Sequence, residues 1–164
     1  MTDKSPTIQV YRVYIKAPAQ AIWDAITQPE WTERYGYGGR VEFDMKAGGR
    51  FSHKASAEMR SMGLPEEIIV GEVIESDPPR KLVQTWHPLF DANTAAETPT
   101  RLTYEIRENQ DGTCIVTITH NGAGAPIVAG MVSGGGDPAQ GAGGWPWILS
   151  DLKSLLETGK RMAG

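Results

Sequence analysis

The sequence predicts an α+β fold: a curved antiparallel sheet wrapped around a long C-terminal helix, with two short helices after the first strand. Three observations predict it. Between residues 40 and 120, short β-branched and aromatic stretches alternate with turn residues, the pattern of an antiparallel meander. After residue 144, Trp145, Ile148, Leu149, Leu152, Leu155 and Leu156 recur at helical spacing and form one apolar stripe. The chain has 164 residues, 40% hydrophobic and 22% charged, enough to close a core as a single domain over 1–164.

Each element follows in order. Ile8, Val10, Val13 and Ile15, mixed with Tyr11 and Tyr14, make 7–16 a strand that Ala17-Pro18 ends. Residues 18–35 hold two short helices. Pro18 suits the first turn of one, which Ala21, Ile22, Ala25 and Ile26 carry to Thr27; Pro29 opens the other, which Gly36-Tyr37-Gly38-Gly39 stops. Strands are expected at 41–45, 50–58, 67–76, 81–87, 100–107 and 113–120. Turns fall at Ala47-Gly48-Gly49 and Asp77-Pro78-Pro79-Arg80, a polar loop spans 88–99, and Asn109-Gln110-Asp111-Gly112 is the strongest hairpin signal. Nine of the 24 residues from 121 to 144 are glycine, which predicts a flexible loop with one short helical turn around 127–132. The long helix then runs over 145–160, with Asp151, Lys153, Glu157 and Lys160 facing away from the stripe and Gly159 as a fraying point.

Several stretches resemble a known family. They are 17–27 with Ile22-Trp23-Asp24, 44–51 with Ala47-Gly48-Gly49-Arg50-Phe51, 71–86 with Asp77-Pro78-Pro79-Arg80 and Trp86, Thr119-His120-Asn121-Gly122, and 144–153 with Gly144-Trp145-Pro146-Trp147. In this order they resemble the START-like (SRPBCC) superfamily, and within it the branch related to the C-terminal domain of the activator of Hsp90 ATPase. The resemblance implies the helix-grip fold, with an interior cavity between sheet and helix. It leaves the activity open, because the superfamily hosts binding proteins, cyclases, hydrolases and co-chaperones on one scaffold. The glycine-rich 121–144 departs from the family, which has a more helical segment there.

Charge and cysteine usage exclude several classes. The formal net charge is −4, and the basic residues Lys16, Arg34, Arg40, Arg50, Lys81 and Arg107 are spread singly, which argues against a phosphate-backbone binder. Cys114 is the only cysteine, so no intramolecular disulfide can form. No apolar leader opens the chain and no apolar run is long enough to span a bilayer, so the expectation is a cytoplasmic protein with no membrane partner.

The residues expected to line a ligand site are Phe51, His53, Trp86, Tyr104, His120, Trp145, Ile148 and Leu152. Large rings suit both core and pocket walls, and a cavity in this fold would draw on the set of Trp23, Phe51, Trp86, Tyr104, Trp145 and Trp147. His53, His87 and His120 lie on three different predicted strands without metal-ligand spacing, so neither a metal nor a cofactor is expected. Glu58 and Glu72 fall on predicted neighbouring strands, where a buried carboxylate could act as a base, although a solvated face is the commoner fate. Arg50 is expected to pair with Glu42 or Asp44, Cys114 to be a small core residue, and Gly134-Gly135-Gly136 to be hinge material.

No catalytic residue is assigned. The leading expectation is binding or carriage of a small hydrophobic or amphipathic ligand. A cyclase- or dehydratase-like enzyme using a pocket Glu or His is the alternative, and a chaperone-interaction module the second. A homodimer is the assembly the sequence leaves open.

Overall fold

Alternation with a period of two builds the sheet. On the seventh strand Cys114, Val116, Ile118 and His120 are buried, while Ile115, Thr117 and Thr119 between them are only half-buried, so one face meets the core and the other looks outward. The computed structural model describes residues 7–162. The elements are β1 (Ile8–Ile15), α1 (Ala19–Thr27), α2 (Pro29–Thr32), β2 (Arg40–Phe43), β3 (Arg50–Lys54), α3 (Ala57–Ser61), β4 (Glu67–Asp77), β5 (Lys81–Pro88), α4 (Ala92–Ala95), β6 (Thr100–Glu108), β7 (Cys114–Asn121), α5 (Pro126–Val132), a 3-10 turn at Pro138–Gln140, and α6 (Gly144–Thr158).

The seven strands form one antiparallel sheet in the order β1-β7-β6-β5-β4-β3-β2. Consecutive strands from β2 to β7 pair in sequence, and β1 returns to lie beside β7. Register shifts in the β3–β4 pairing at His53/Lys54 and in the β4–β5 pairing at Val73/Glu75 add local twist, which curves the sheet. Against the curved face pack α1 and α6. Ile22, Trp23, Ala25 and Ile26 of α1 and Trp145, Leu149, Leu152 and Leu155 of α6 join Leu82, Leu102, Ile106, Val116 and Ile118 of the sheet in one apolar core. Cys114 is buried in it as expected. α6 also reaches the β1 edge: Lys153 Nζ donates to the Tyr14 carbonyl at 2.6 Å, and Glu157 accepts from the Lys16 amide at 2.8 Å.

Several boundaries differ from the sequence reading. The strand expected over 50–58 stops at Lys54, because Ser56 caps a new helix by accepting from the Met59 amide at 3.2 Å. Glu58 therefore sits on α3 and is exposed; Glu72 is on β4 and exposed as well. The polar loop 88–99 holds α4, closed by a capping box between Asp91 and Thr94. The second short helix ends at Thr32 rather than near Tyr35.

The glycine-rich segment is two different things. Its first half forms α5, whose Val128, Ala129 and Val132 are buried. The free amides of its first turn are met by a side chain from elsewhere: Glu97 accepts from Ile127 N at 2.8 Å and Val128 N at 3.0 Å. Its second half, up to residue 143, is mostly exposed. Gly144 then starts α6 with φ of +63°, and a Cβ there would collide with the Val132 carbonyl, so glycine is what lets α6 begin beneath α5.

Candidate functional site

Strand register assembles the aromatic end of the sheet–helix interface. Trp86 pairs with Thr100 across β5–β6, and Leu102 with His120 across β6–β7, which brings Trp86, Thr100, Tyr104 and His120 onto one face under the first turn of α6. Trp145 descends from α6 into this group. Its ring centroid lies 5.9 Å from Trp86, 6.0 Å from His120 and 6.1 Å from Tyr104, the last edge-on. Trp86 and His120 meet edge-on at 5.1 Å.

A chain of hydrogen bonds runs through the cluster. Trp145 Nε1–H donates to His120 Nδ1 at 2.9 Å. Since indole nitrogen can only donate, Nδ1 must accept, and the imidazole proton resides on Nε2. That nitrogen donates to Thr100 Oγ1 at 2.7 Å, and the Thr100 hydroxyl donates to the Trp86 carbonyl at 2.8 Å. His120 is 2% exposed, and burial pulls its pKa from 6.5 down to about 4. A second proton would have to sit on Nδ1, pointing at the Trp145 N–H. The imidazole is thus neutral, of one tautomer and fully occupied, which suits it to holding α6 on the sheet rather than to proton transfer.

Tyr104 is the contrasting member. Its ring is half-buried, yet burial, with the nearby Tyr35 hydroxyl, pushes its pKa well above the ordinary phenol value. Its hydroxyl has no hydrogen-bond partner among the described residues.

The other predicted ligand residues have other partners. Phe51 packs on Phe43, centroids 4.8 Å apart, on β3 and β2. His53 Nε2–H donates to the Gly38 carbonyl at 2.9 Å, and burial lowers its pKa. Ile148 is half-buried against Gly36, and Leu152 is 1% exposed in the core. Arg50 does not pair with Glu42 or Asp44. Its register partner on β4 is Glu72, but its guanidinium reaches Glu67 on the same strand at 2.7 Å, where hydrogen bonds from Ser52 and Arg50 hold the Glu67 carboxyl down to about 2. Among the described residues no three His, Cys, Asp or Glu side chains gather as a metal site, and no helix is long and apolar enough to cross a membrane.

Sequence reasoning missed two buried polar groups. Thr100 gave no signal, because its role depends on the strand pairing. Asp151, expected on the solvent side of α6, is fully buried. It accepts from the Gly36 amide at 2.8 Å and the Met162 amide at 2.7 Å, and pairs with Arg161 at 3.1 Å. Arg161 Nη2 also donates to the Gly36 carbonyl at 2.6 Å. Gly36 adopts φ of +62° to reach this position beneath α6.

Two surface hollows are evident. One of about 310 Å³ lies along Ile8–Tyr11 and Ser133; another of about 650 Å³ is lined by Glu33, Arg34, Leu155 and residues 159–162. None of the eight predicted ligand residues lines either.

Seven antiparallel strands in this order, curved around a C-terminal helix, define a helix-grip protein of the START-like superfamily. The chain belongs to the Activator of Hsp90 ATPase homolog 1-like family, whose pattern matches residues 16–157. Solved structures agree on the fold. Protein MLL2253 from Mesorhizobium loti is similar with a TM-score of 0.67 and 21% identity, covering 92% of this chain and 96% of that one. The Aha1 dimer from Colwellia psychrerythraea gives 0.60 and 15%, covering 93% and 98%. CalU16 from Micromonospora echinospora gives 0.51 and 18%, covering 69% of this chain and only 59% of CalU16. No curated protein matches the chain in sequence.

Proposed function

We propose that the chain binds a small hydrophobic or amphipathic molecule between the concave sheet face and the start of α6. The observation that carries this reading is Tyr104. Its half-buried ring meets Trp145 edge-on at 6.1 Å, and its hydroxyl has no hydrogen-bond partner among the described residues. An apolar ligand body would lie against Trp86, Trp145 and Ile148, with affinity from buried apolar surface at about 25 cal/mol per Å². The Tyr104 hydroxyl would fix one polar group of the ligand.

An enzyme of the cyclase type has less support. Glu58 and Glu72 are both exposed, and both nitrogens of His120 are occupied. The family's description and the Aha1 neighbour favour the other alternative, contact with a chaperone, and the neighbour's dimer gives the homodimer expectation its support.

A panel of fatty acids, flavonoid-like aromatics and sterols, read by tryptophan emission, tests the proposal. A member that binds should shift emission through Trp86 and Trp145, and Tyr104→Phe should weaken binding about tenfold while leaving the fold intact. Residues 133–143 should also gain hydrogen-exchange protection on binding, while α5 changes little. No change of emission with any panel member sinks the carrier reading and leaves the chaperone module.

A further inference from the structure

The larger hollow lies at the other end of α6, away from the aromatic cluster, and its charges do not cancel. Four charged side chains line it: Glu33, Arg34, Lys160 and Arg161. Glu33 is neutralised by Arg40 at 2.8 Å, and Arg161 by the buried Asp151 at 3.1 Å. Arg34 and Lys160 remain. The Arg34 guanidinium stacks over the Trp31 ring, 4.5 Å from its centroid, an arrangement that holds the group in place and leaves its N–H donors unused. Among the described residues neither the Arg34 guanidinium nor the Lys160 ammonium has a hydrogen bond or an ion pair. In a chain of net charge −4, two uncompensated cations share this hollow.

A third feature points the same way. Arg161 spends Nη2 on Gly36 and Asp151, and its buried Nε has no partner among the described residues. A buried donor left unmade is costly, and an acceptor brought to this wall would satisfy it. Leu155 and Met162 add apolar surface beside the cations, and about 650 Å³ is the size of a small-molecule site.

We propose that this hollow binds a small organic oxyanion, a carboxylate or a phosphate monoester carried on an apolar body. The oxyanion accepts from Arg34, Lys160 and Arg161 Nε–H, and its apolar part lies on Leu155 and Met162. This site is separate from the ligand site proposed at Tyr104 and does not depend on it.

The test uses phenyl phosphate and benzoate as probes on the full chain, with neutral phenol as comparator, followed by the arginine Nε–H resonances and by calorimetry. At least one anion should move the Arg161 Nε–H signal, and the stronger of the two identifies the head group. Arg34→Gln and Lys160→Gln, both at exposed positions, should each weaken that binding about tenfold without changing the unfolding midpoint, and added salt should weaken it further. The proposal is overturned if neither anion shifts Arg161, if phenol binds as well as the anions, or if both substitutions leave the affinity unchanged. It is equally overturned if an acidic peptide binds at Arg34 and Lys160 while the small anions do not, since the hollow would then be part of a protein-binding surface.

Discussion

At the start of α6, Trp145, His120 and Thr100 pass one line of hydrogen bonds to the Trp86 carbonyl, and every group in that line is neutral. Further along the same helix, Asp151 does the equivalent work with a charge. It gathers two backbone amides and Arg161, and so ties α6 both to the turn at Gly36 and to the segment beyond the helix. Both anchors are buried, but they differ in what happens when one member is lost. Removing a neutral partner strands a donor or acceptor. Removing the carboxylate strands a guanidinium and two amides together, because a buried charge is tolerable only while its partners are present. The neutral anchor is the one that senses pH through its own imidazole.

The largest expected effect is at the charged anchor. Asp151→Ala should cost about 3–5 kcal/mol, measured by denaturant unfolding, and should release residues 159–162 to fast hydrogen exchange. A loss no larger than that of a surface substitution would mean that Asp151 is not the anchor of this end.

The neutral anchor should show itself as a pH dependence. His120 has its pKa lowered from 6.5 to about 4 in the folded state, so the unfolded chain takes up the proton first as pH falls. The stabilisation is complete above pH 6.5 and drains away as pH falls through 6.5 toward 4, by about 3 kcal/mol for a shift of this size. His120→Phe should flatten that part of the profile while costing about 1–3 kcal/mol at pH 7, since the Trp145 N–H and the Thr100 hydroxyl lose their partner. His53, whose pKa burial also lowers, contributes in the same direction, so the slope left in H120F reports on it. An unchanged slope in H120F would remove His120 as its source.

The smallest effect concerns what surrounds the neutral anchor. Glu97→Ala should cost about 1 kcal/mol by uncapping α5, and should speed amide exchange at Ile127 and Val128 without altering the His120 profile. Exchange unchanged at both amides would show that α5 is held by Val128 and Val132 alone.

By itself the sequence determined the parts that depend on neighbours along the chain. Period-two apolar residues in 100–107 and 113–120, the Asn109–Gly112 hairpin, the stripe of Trp145, Leu149, Leu152 and Leu155, and the core position of Cys114 all follow from local spacing, and the structure has them. That large rings gather between sheet and helix was legible too: Trp86, Tyr104, His120 and Trp145 do meet. Local spacing was silent wherever the deciding partner lay far along the chain. Arg50 found Glu67 because β3 pairs with β4 as well as with β2; the helical turn expected around 127–132 is capped by Glu97 from outside the glycine-rich stretch; and Asp151 is buried because Gly36, Arg161 and Met162 bring it three donors. A polar side chain's fate depends on which distant donors and acceptors desolvation leaves it facing. Strand register and helix packing set those, and only the tertiary structure decided them.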